Sequence, residues 1–339
     1  MPILLEELIQ QVPVETEEKV KKAKEAFNAR IREALRRETR LSLQRHDGTN
    51  VAVPIRVVPG LPEPLIPRDK QSIEDTYRLS LLLAPYRQAL ISLRESGQTM
   101  ANQLLPILRS DQLARSLLDG REISLMPAWQ YADFLLKKLN EFELTKFILA
   151  INEDVLGVYQ YKLRSGAAYD EPEPRIDLYW GVIGLIARDL AIDVEDLACV
   201  VLAHELAHAY THVGADADDH FWKTREFADS DHELKEGLAQ FYSLLICRRL
   251  ADTNAGPLRA FTALLPKQPD AYHAHEAWID STPEHIRLAM LEARRHGPRG
   301  PCKRSNAIAR LHTTNYRRRE ATLRACKKRG TYGCLRSPG

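Results

Sequence analysis

The sequence predicts an α+β protein that is predominantly helical, with a small sheet that includes an edge strand. In the first half, apolar residues recur at three- and four-residue spacing, which is the period of an amphipathic helix. After residue 146, several short runs are rich in β-branched and aromatic residues, as strands are. A long apolar helix that carries two histidines and a glutamate is then expected. These three residues are candidates for a functional site.

Composition sets the broad class of the protein. With 339 residues and 44% hydrophobic content, the chain can bury a sizeable core in about two domains. No apolar stretch reaches the roughly 18 residues that a membrane span needs, and the N-terminus does not fit a signal peptide. The odd number of five cysteines argues against a disulfide framework. We therefore predict a cytoplasmic protein that makes no contact with membranes.

Three regions differ in pattern along the chain. Residues 1–146 are predicted to form a mainly helical N-terminal region, and residues 147–296 a domain that holds the chemistry. Residues 297–339 contain twelve Lys or Arg against one acidic residue, Glu320, and are predicted to be a flexible basic tail. Such a tail is able to make weak contact with nucleic acid, but an extension without a specific function is the more economical interpretation.

Periodicity and turn residues predict the positions of the helices and strands. Helices are expected at about 6–45 with a break at Pro13, at 73–96, 99–118, 127–140, 180–190 and 194–211, and after Pro283. Strands are expected at 51–58, where Pro54 implies an edge, and at 147–151, 155–161 and 175–179. The last of these, Arg175–Tyr179, alternates like an edge strand. It could pair with an extended peptide or be an ordinary edge strand.

The sequence His204-Glu205-Leu206-Ala207-His208 has the pattern HExxH inside an uncharged run. At about 3.6 residues per turn, His204 and His208 lie on one helix face and can both bind one metal ion. Glu205 lies on the same turn, where it can accept a proton from a water molecule at the metal without being a ligand. Zn²⁺ is the expected cofactor.

A catalytic zinc usually takes a third protein ligand, so a further donor is expected after the motif. The pattern with Gly at position 211 and His at position 214 fails, because Thr211 and Gly214 stand there. Of the later acidic and histidine residues, Glu236 is favoured because it opens a second apolar helix, which would hold its carboxylate in place. Glu233 remains the main alternative.

The pair of motifs HELAH (204–208) and EGLAQ (236–240) resembles the gluzincin group of zinc metallopeptidases. This resemblance covers about residues 147–290. It implies a zincin-like domain in which His204, His208 and Glu236 bind zinc and Glu205 acts as general base in the hydrolysis of peptide bonds. A peptide or protein is then the expected substrate. The long separation of His208 from Glu236 departs from the better-known members.

Other residues near the predicted site have open roles. Because gluzincins tend to supply a downstream Tyr or His as oxyanion donor, the resemblance makes Tyr272, His273 and His275 candidates, with Tyr242 as a further option. For each of these residues, a position in an exposed polar loop without a role in the site is an equal alternative. His212 continues the one-turn spacing but drifts to the flank of the helix face, so we expect it either beside the ligands or as a charge at the helix C-terminus, and not as a ligand. Residues 220–222 are either a lid or an apolar anchor.

A second interpretation keeps the metal and drops general proteolysis. The chain would then be a catalytically restricted or inactive zincin-like regulatory or binding module, which could associate with nucleic acid through its basic tail.

Overall fold

The computed structural model describes residues 9–61, 82–96, 110, 128–141, 143–151, 155–163 and 172–296. The predicted helix at 99–118, apart from residue 110, and the predicted basic tail lie outside these residues. The described part is predominantly helical with a small mixed sheet, as expected of an α+β protein.

The chain divides into two compact units that do not follow chain order. The described residues within 9–11 and 61–155 form one unit, and those within 12–60 and 156–296 form the other. Residues 12–60 thus belong with the second half of the chain, although the helical pattern predicts one N-terminal region at residues 1–146.

In the first unit, a 3-10 turn precedes helix α2 (Arg87–Ser96), which packs against helix α3 (Ala128–Glu141). Their shared core consists of side chains that recur at helical spacing, namely Leu83, Leu90, Leu93, Ala132, Leu135 and Leu136. The prediction of a helix at 127–140 is therefore confirmed.

The segment 147–151 is helical, so the prediction of a strand there is wrong. It belongs to helix α4 (Leu144–Ile151), in which Thr145, Ile148 and Leu149 are buried. Their spacing of three and four residues is helical. A short, uniformly apolar run has no periodicity that separates a buried strand from a buried helix, and the preceding residues decided the outcome.

In the second unit, helix α1 (Glu15–Thr39) begins just after Pro13 and packs along helix α6 (Val194–Val213), which carries the HExxH sequence. Its buried side chains form one stripe, Val20, Ala23, Phe27, Ile31, Ala34 and Leu35, while the remainder of the helix carries charges. Burial of this stripe against α6 explains why an early segment belongs to the later unit.

The sheet has three strands in the order β1-β3-β2, where β1 is Ile55–Val58, β2 is Gly157–Leu163 and β3 is Pro172–Tyr179. β1 pairs with β3 in parallel, and β2 pairs with β3 antiparallel. The strand predicted at 51–58 is confirmed for residues 55–58, and among the described strands it lies at an edge of the sheet, as Pro54 implied. The prediction that Arg175–Tyr179 forms an edge strand is wrong, because β3 lies in the centre of the sheet.

The remaining helices of the second unit follow the sheet. They are α5 (Trp180–Asp189), α6, α7 (Thr224–Ala228), α8 (His232–Leu250), α9 (Gly256–Leu264), α10 (Asp270–His273) and α11 (Pro283–His296). A 3-10 turn at Ala274–Trp278 continues α10. Among the described helices, none combines the length and the apolar character that crossing a membrane requires.

Candidate metal centre

Helix α6 lies in the middle of its unit and is buried on every side from Leu197 to Val213. It packs against α1, α5, α8, α9, β2 and β3. This explains why its apolar residues surround the whole helix instead of forming one stripe. His204, Glu205 and His208 are 7%, 5% and 8% exposed, so the polar residues of the motif lie inside the core.

Helix α8 supplies the third donor to the two histidines. Oε2 of Glu236 lies 3.1 Å from Nε2 of His204 and 3.3 Å from Nε2 of His208, and the two Nε2 atoms are 3.0 Å apart. Glu233, one turn earlier, is exposed. The structure therefore brings together the three residues predicted as ligands and places the alternative, Glu233, at the surface.

This donor set fits a zinc ion. Two imidazole nitrogens and one carboxylate oxygen are a common catalytic zinc set, with bonds of about 2.0–2.2 Å. In a tetrahedral site, donors at that bond length are about 3.3 Å from one another. The three observed separations of 3.0, 3.1 and 3.3 Å fall close to that value.

Burial and charge keep these groups in the forms that bind metal. Burial lowers the pKa of His204, so its imidazole is neutral. Burial acts to raise the pKa of Glu236, but the neighbouring His208 and His204 outweigh it and hold this pKa well below its usual value. A neutral imidazole on His204 and an ionised carboxylate on Glu236 are the protonation states that a cation needs.

Two glutamines orient His204. Oε1 of Gln240, one turn after Glu236 on α8, lies 3.3 Å from Nδ1 of His204. The amide nitrogen of Gln240 donates to Oε1 of Gln268 at 2.6 Å, which turns the carbonyl oxygen of Gln240 toward the histidine. Nδ1 of His204 therefore carries the proton, and the lone pair of Nε2 points to the site.

We expect Gln240→Ala to weaken zinc binding about 10-fold, because outer hydrogen-bond partners of ligand histidines typically contribute about 10–100-fold to metal affinity. Gln240→Glu keeps an acceptor for Nδ1 and should bind zinc at least as tightly as the wild type. Competition with a chromophoric chelator measures both affinities. Equal affinity of Gln240→Ala and wild type would contradict this role.

Strand β2 approaches Glu205 closely. A Cβ atom on Gly157 would lie 2.6 Å from Cγ1 of Val201 and 3.2 Å from Oε1 of Glu205. Only glycine lets the strand come this near to α6. Two residues further along β2, the ring of Tyr159 stacks on that of His208 at 6.5 Å.

His212 is fully buried beside the site and is not among the three grouped donors. Its Nδ1 lies 2.9 Å from the hydroxyl of Tyr159, its Nε2 lies 3.2 Å from Oγ1 of Thr224, and its ring stacks on Phe227. Burial lowers the pKa of His212 to about 3. A neutral imidazole with both nitrogens engaged ties α6 to β2 and α7.

The downstream candidates occupy different places. The ring of Tyr272 is buried and stacks on His204 at 5.3 Å with an angle of 13°. His275 is fully buried and donates through Nδ1 to the carbonyl oxygen of Tyr272 at 2.7 Å, while Nδ1 of His273 lies 2.8 Å from Oε1 of Glu276. Of these three, Tyr272 is the residue whose ring contacts a histidine of the HExxH sequence.

Tyr242 does not serve the site. Its side chain is fully buried and its hydroxyl lies 4.0 Å from Sδ of Met290 on α11, so it belongs to the core between α8 and α11. The sequence offers both Tyr242 and Tyr272 as donors. Which of the two tyrosines lies near the histidines depends on which face of its helix is turned to α6.

The long segment between His208 and Glu236 is a folded connection. Trp222 is 1% exposed, its backbone N–H donates to the carbonyl of His212, and its ring packs on Phe227. This favours the anchor interpretation of residues 220–222 over a lid. Arg294 of α11 donates to the carbonyl oxygens of Gly214 and His220.

A second group of acidic side chains lies in this connection. Asp216, Asp218 and His220 come close together, but the guanidinium of Arg295 pairs with both aspartates. Oδ1 of Asp216 also accepts the backbone N–H groups of Asp218 and His220. The group therefore serves to fix the loop to α11.

Sequence reasoning missed Gly157, Tyr159, Gln240 and Gln268. The position of Gln240, four residues after the predicted ligand Glu236, was a signal that could have revealed it. Comparison with known proteins adds no identity: no family model, no curated protein and no solved structure matches the chain.

Proposed function

We propose that the protein is a zinc-dependent metallopeptidase in which His204, His208 and Glu236 bind the metal. The observation that carries this proposal is the convergence of three donor atoms within 3.3 Å, next to Glu205 on the same buried helix. Bound zinc would act as a Lewis acid on a peptide carbonyl and lower the pKa of a water molecule toward about 7.

The chain's own groups would perform the proton transfers. Glu205 takes a proton from the attacking water and passes it to the leaving amine. Gly157 lets β2 run against the Glu205 side chain, which limits where the carboxylate lies. Gln240 and Tyr272 hold the ring of His204 by a hydrogen bond and by stacking.

The substrate would bind as an extended strand along β2. Among the described residues, no strand pairs with the edge of β2 that faces away from β3. That edge begins at Gly157, next to Glu205. Main-chain hydrogen bonds to an exposed sheet edge are a general way to bind extended peptides. The sequence suggested that a peptide could pair with Arg175–Tyr179. Because β3 lies in the centre of the sheet, we assign peptide pairing to β2 instead.

Zinc analysis and zinc removal test the proposal directly. We expect purified protein to contain stoichiometric zinc and to cleave an unfolded protein substrate. Extraction with a chelator should abolish cleavage, and added zinc should restore it. Zinc should also raise the melting temperature, because it binds the folded state. Protein without zinc, or with cleavage that survives metal extraction, would contradict the proposal.

A binding module that holds metal but does not cleave is the second candidate. The observation that favours it is the deep burial of the site, since His204, Glu205, His208 and Glu236 are 5–8% exposed. Stoichiometric zinc without cleavage of any peptide would support this module over the peptidase. Contact with nucleic acid through residues 297–339 also stays a prediction, because that segment lies outside the described residues.

A further inference from the structure

The two faces of the sheet differ in what they contact. Gly157 and Tyr159 of β2 face α6, as their approach to Glu205 and His208 shows. Because side chains alternate along a strand, Val158 and Gln160 lie on the opposite face, which we call the outer face. In the register of the sheet, Val158 is opposite Asp177, and Gln160 is opposite Arg175.

Two arginines and one aspartate form the centre of the outer face. Arg56 of β1 binds both carboxylate oxygens of Asp177, at 2.8 and 3.0 Å. Arg175 shares one of these oxygens at 3.2 Å. The side chain of Asp177 is almost fully buried. Two guanidinium groups against one carboxylate leave a surplus positive charge, since Asp177 is already engaged by Arg56 on both oxygens.

The surplus charge lies toward β2. The guanidinium of Arg175 extends from β3 across to β2, where it donates to Oε1 of Gln160. The side chain of Arg175 is one-third exposed, so it is accessible to a ligand. Further along the same two strands, an acidic and a basic residue are opposite each other in the register, Glu173 and Lys162.

A peptide that pairs with the outer edge of β2 would place one side chain beside Gln160 on this face. Neighbouring strands lie about 4.8 Å apart, so that side chain would be within reach of the Arg175 guanidinium. Gln160 is three residues after Gly157, which lies against Glu205. On an antiparallel peptide, the side chain beside Gln160 belongs to a residue about three positions before the one opposite Gly157.

We propose that the outer face selects substrates with an acidic side chain about three residues to the N-terminal side of the residue held opposite Gly157, through charge pairing with Arg175. This inference rests on the proposed function only for the site at which the peptide binds. The selected ligand class is an extended peptide with Asp or Glu at that position.

Peptide binding to zinc-loaded Glu205→Gln protein tests the proposal without cleavage. The probes are labelled, otherwise neutral peptides of about ten residues that carry Glu, Gln or Lys at one position, which is moved along the peptide. Fluorescence anisotropy should show the Glu peptide binding about fivefold more tightly than the Gln peptide at one position, in the range of a partly shielded ion pair. The difference should shrink in about 1 M salt, where screening acts within about 3 Å.

Variants of Arg175 separate charge selection from a general loss of structure. Arg175→Gln keeps an amide beside Gln160 and should remove the preference for Glu over Gln. Arg175→Glu should reverse the preference in favour of the Lys peptide, a result that misfolding does not produce. The matched control is Arg249→Glu at the far end of α8, thirteen residues and about 20 Å from Glu236, which should keep the Glu preference.

The results also separate this inference from the proposed function. Equal binding of Glu and Gln peptides at every position, or a Glu preference that survives Arg175→Glu, overturns the inference whether or not the protein cleaves. A Glu preference that reverses in Arg175→Glu, combined with no cleavage by the zinc-loaded wild type, supports the inference and contradicts the peptidase.

Discussion

The variant Glu205→Gln is expected to lose peptide cleavage by about 1000-fold, within the range of about 100- to 10,000-fold that a general base contributes. Glutamine has nearly the same shape as glutamate but accepts no proton at neutral pH, so the zinc content should stay unchanged. Steady-state kinetics on a cleaved peptide would locate the loss in kcat, with KM altered by less than about threefold.

Glu195→Gln is the matched control for this variant. Glu195 lies in the first turn of α6, ten residues and about 15 Å before Glu205. The Glu195→Gln substitution therefore removes the same charge from the same helix. We expect its kcat and zinc content to equal those of the wild type. Cleavage by Glu205→Gln at the wild-type rate would show that another group accepts the proton.

Removal of the Glu236 carboxylate is expected to weaken zinc binding by more than about 100-fold, which exceeds the usual effect of losing an outer partner. In Glu236→Gln the site keeps its two imidazoles but Glu236 no longer supplies an anionic oxygen to the cation. Competition with a chelator would measure the affinity. The zinc-dependent rise in melting temperature should disappear together with binding.

Glu233→Gln provides the comparison, because it changes the same residue type one turn away on the same helix. Glu233 is exposed, and its backbone N–H is bonded to the side chain of Asp231 at the start of α8. We expect its zinc affinity to match the wild type. A greater loss in Glu233→Gln than in Glu236→Gln would show that Glu233 is the ligand.

The sequence alone could not decide whether Glu233 or Glu236 is the third candidate ligand. Three residues along a helix correspond to a rotation of about 300°, so Glu233 and Glu236 point about 60° apart and about 4.5 Å apart along the axis. Both face the same general side of α8. Which carboxylate meets the histidines depends on how α8 docks against α6, and Trp278 packed on Gly237 is part of that docking.

The strands likewise depend partly on local sequence and partly on tertiary structure. The apolar run 147–151 has no period of its own, so only the residues around it could assign it to α4. The alternation of Arg175–Tyr179 indicated one polar and one apolar face, which the sheet has. It did not indicate an edge, because Arg56 and Arg175 neutralise Asp177 and allow a charged face in the central strand.

By itself, the sequence determined the predominantly helical α+β class, and it placed the candidate metal ligands His204 and His208 on one face of α6. These features depend on residues within one or two turns of each other, where helix geometry alone sets the distances. Tertiary structure decided the features that join distant segments. Among them are Glu236 as the converging carboxylate, Gln240 and Gln268 behind His204, and β2 as the strand beside Glu205. Such contacts depend on how helices and strands pack, and local periodicity carries no information about that packing.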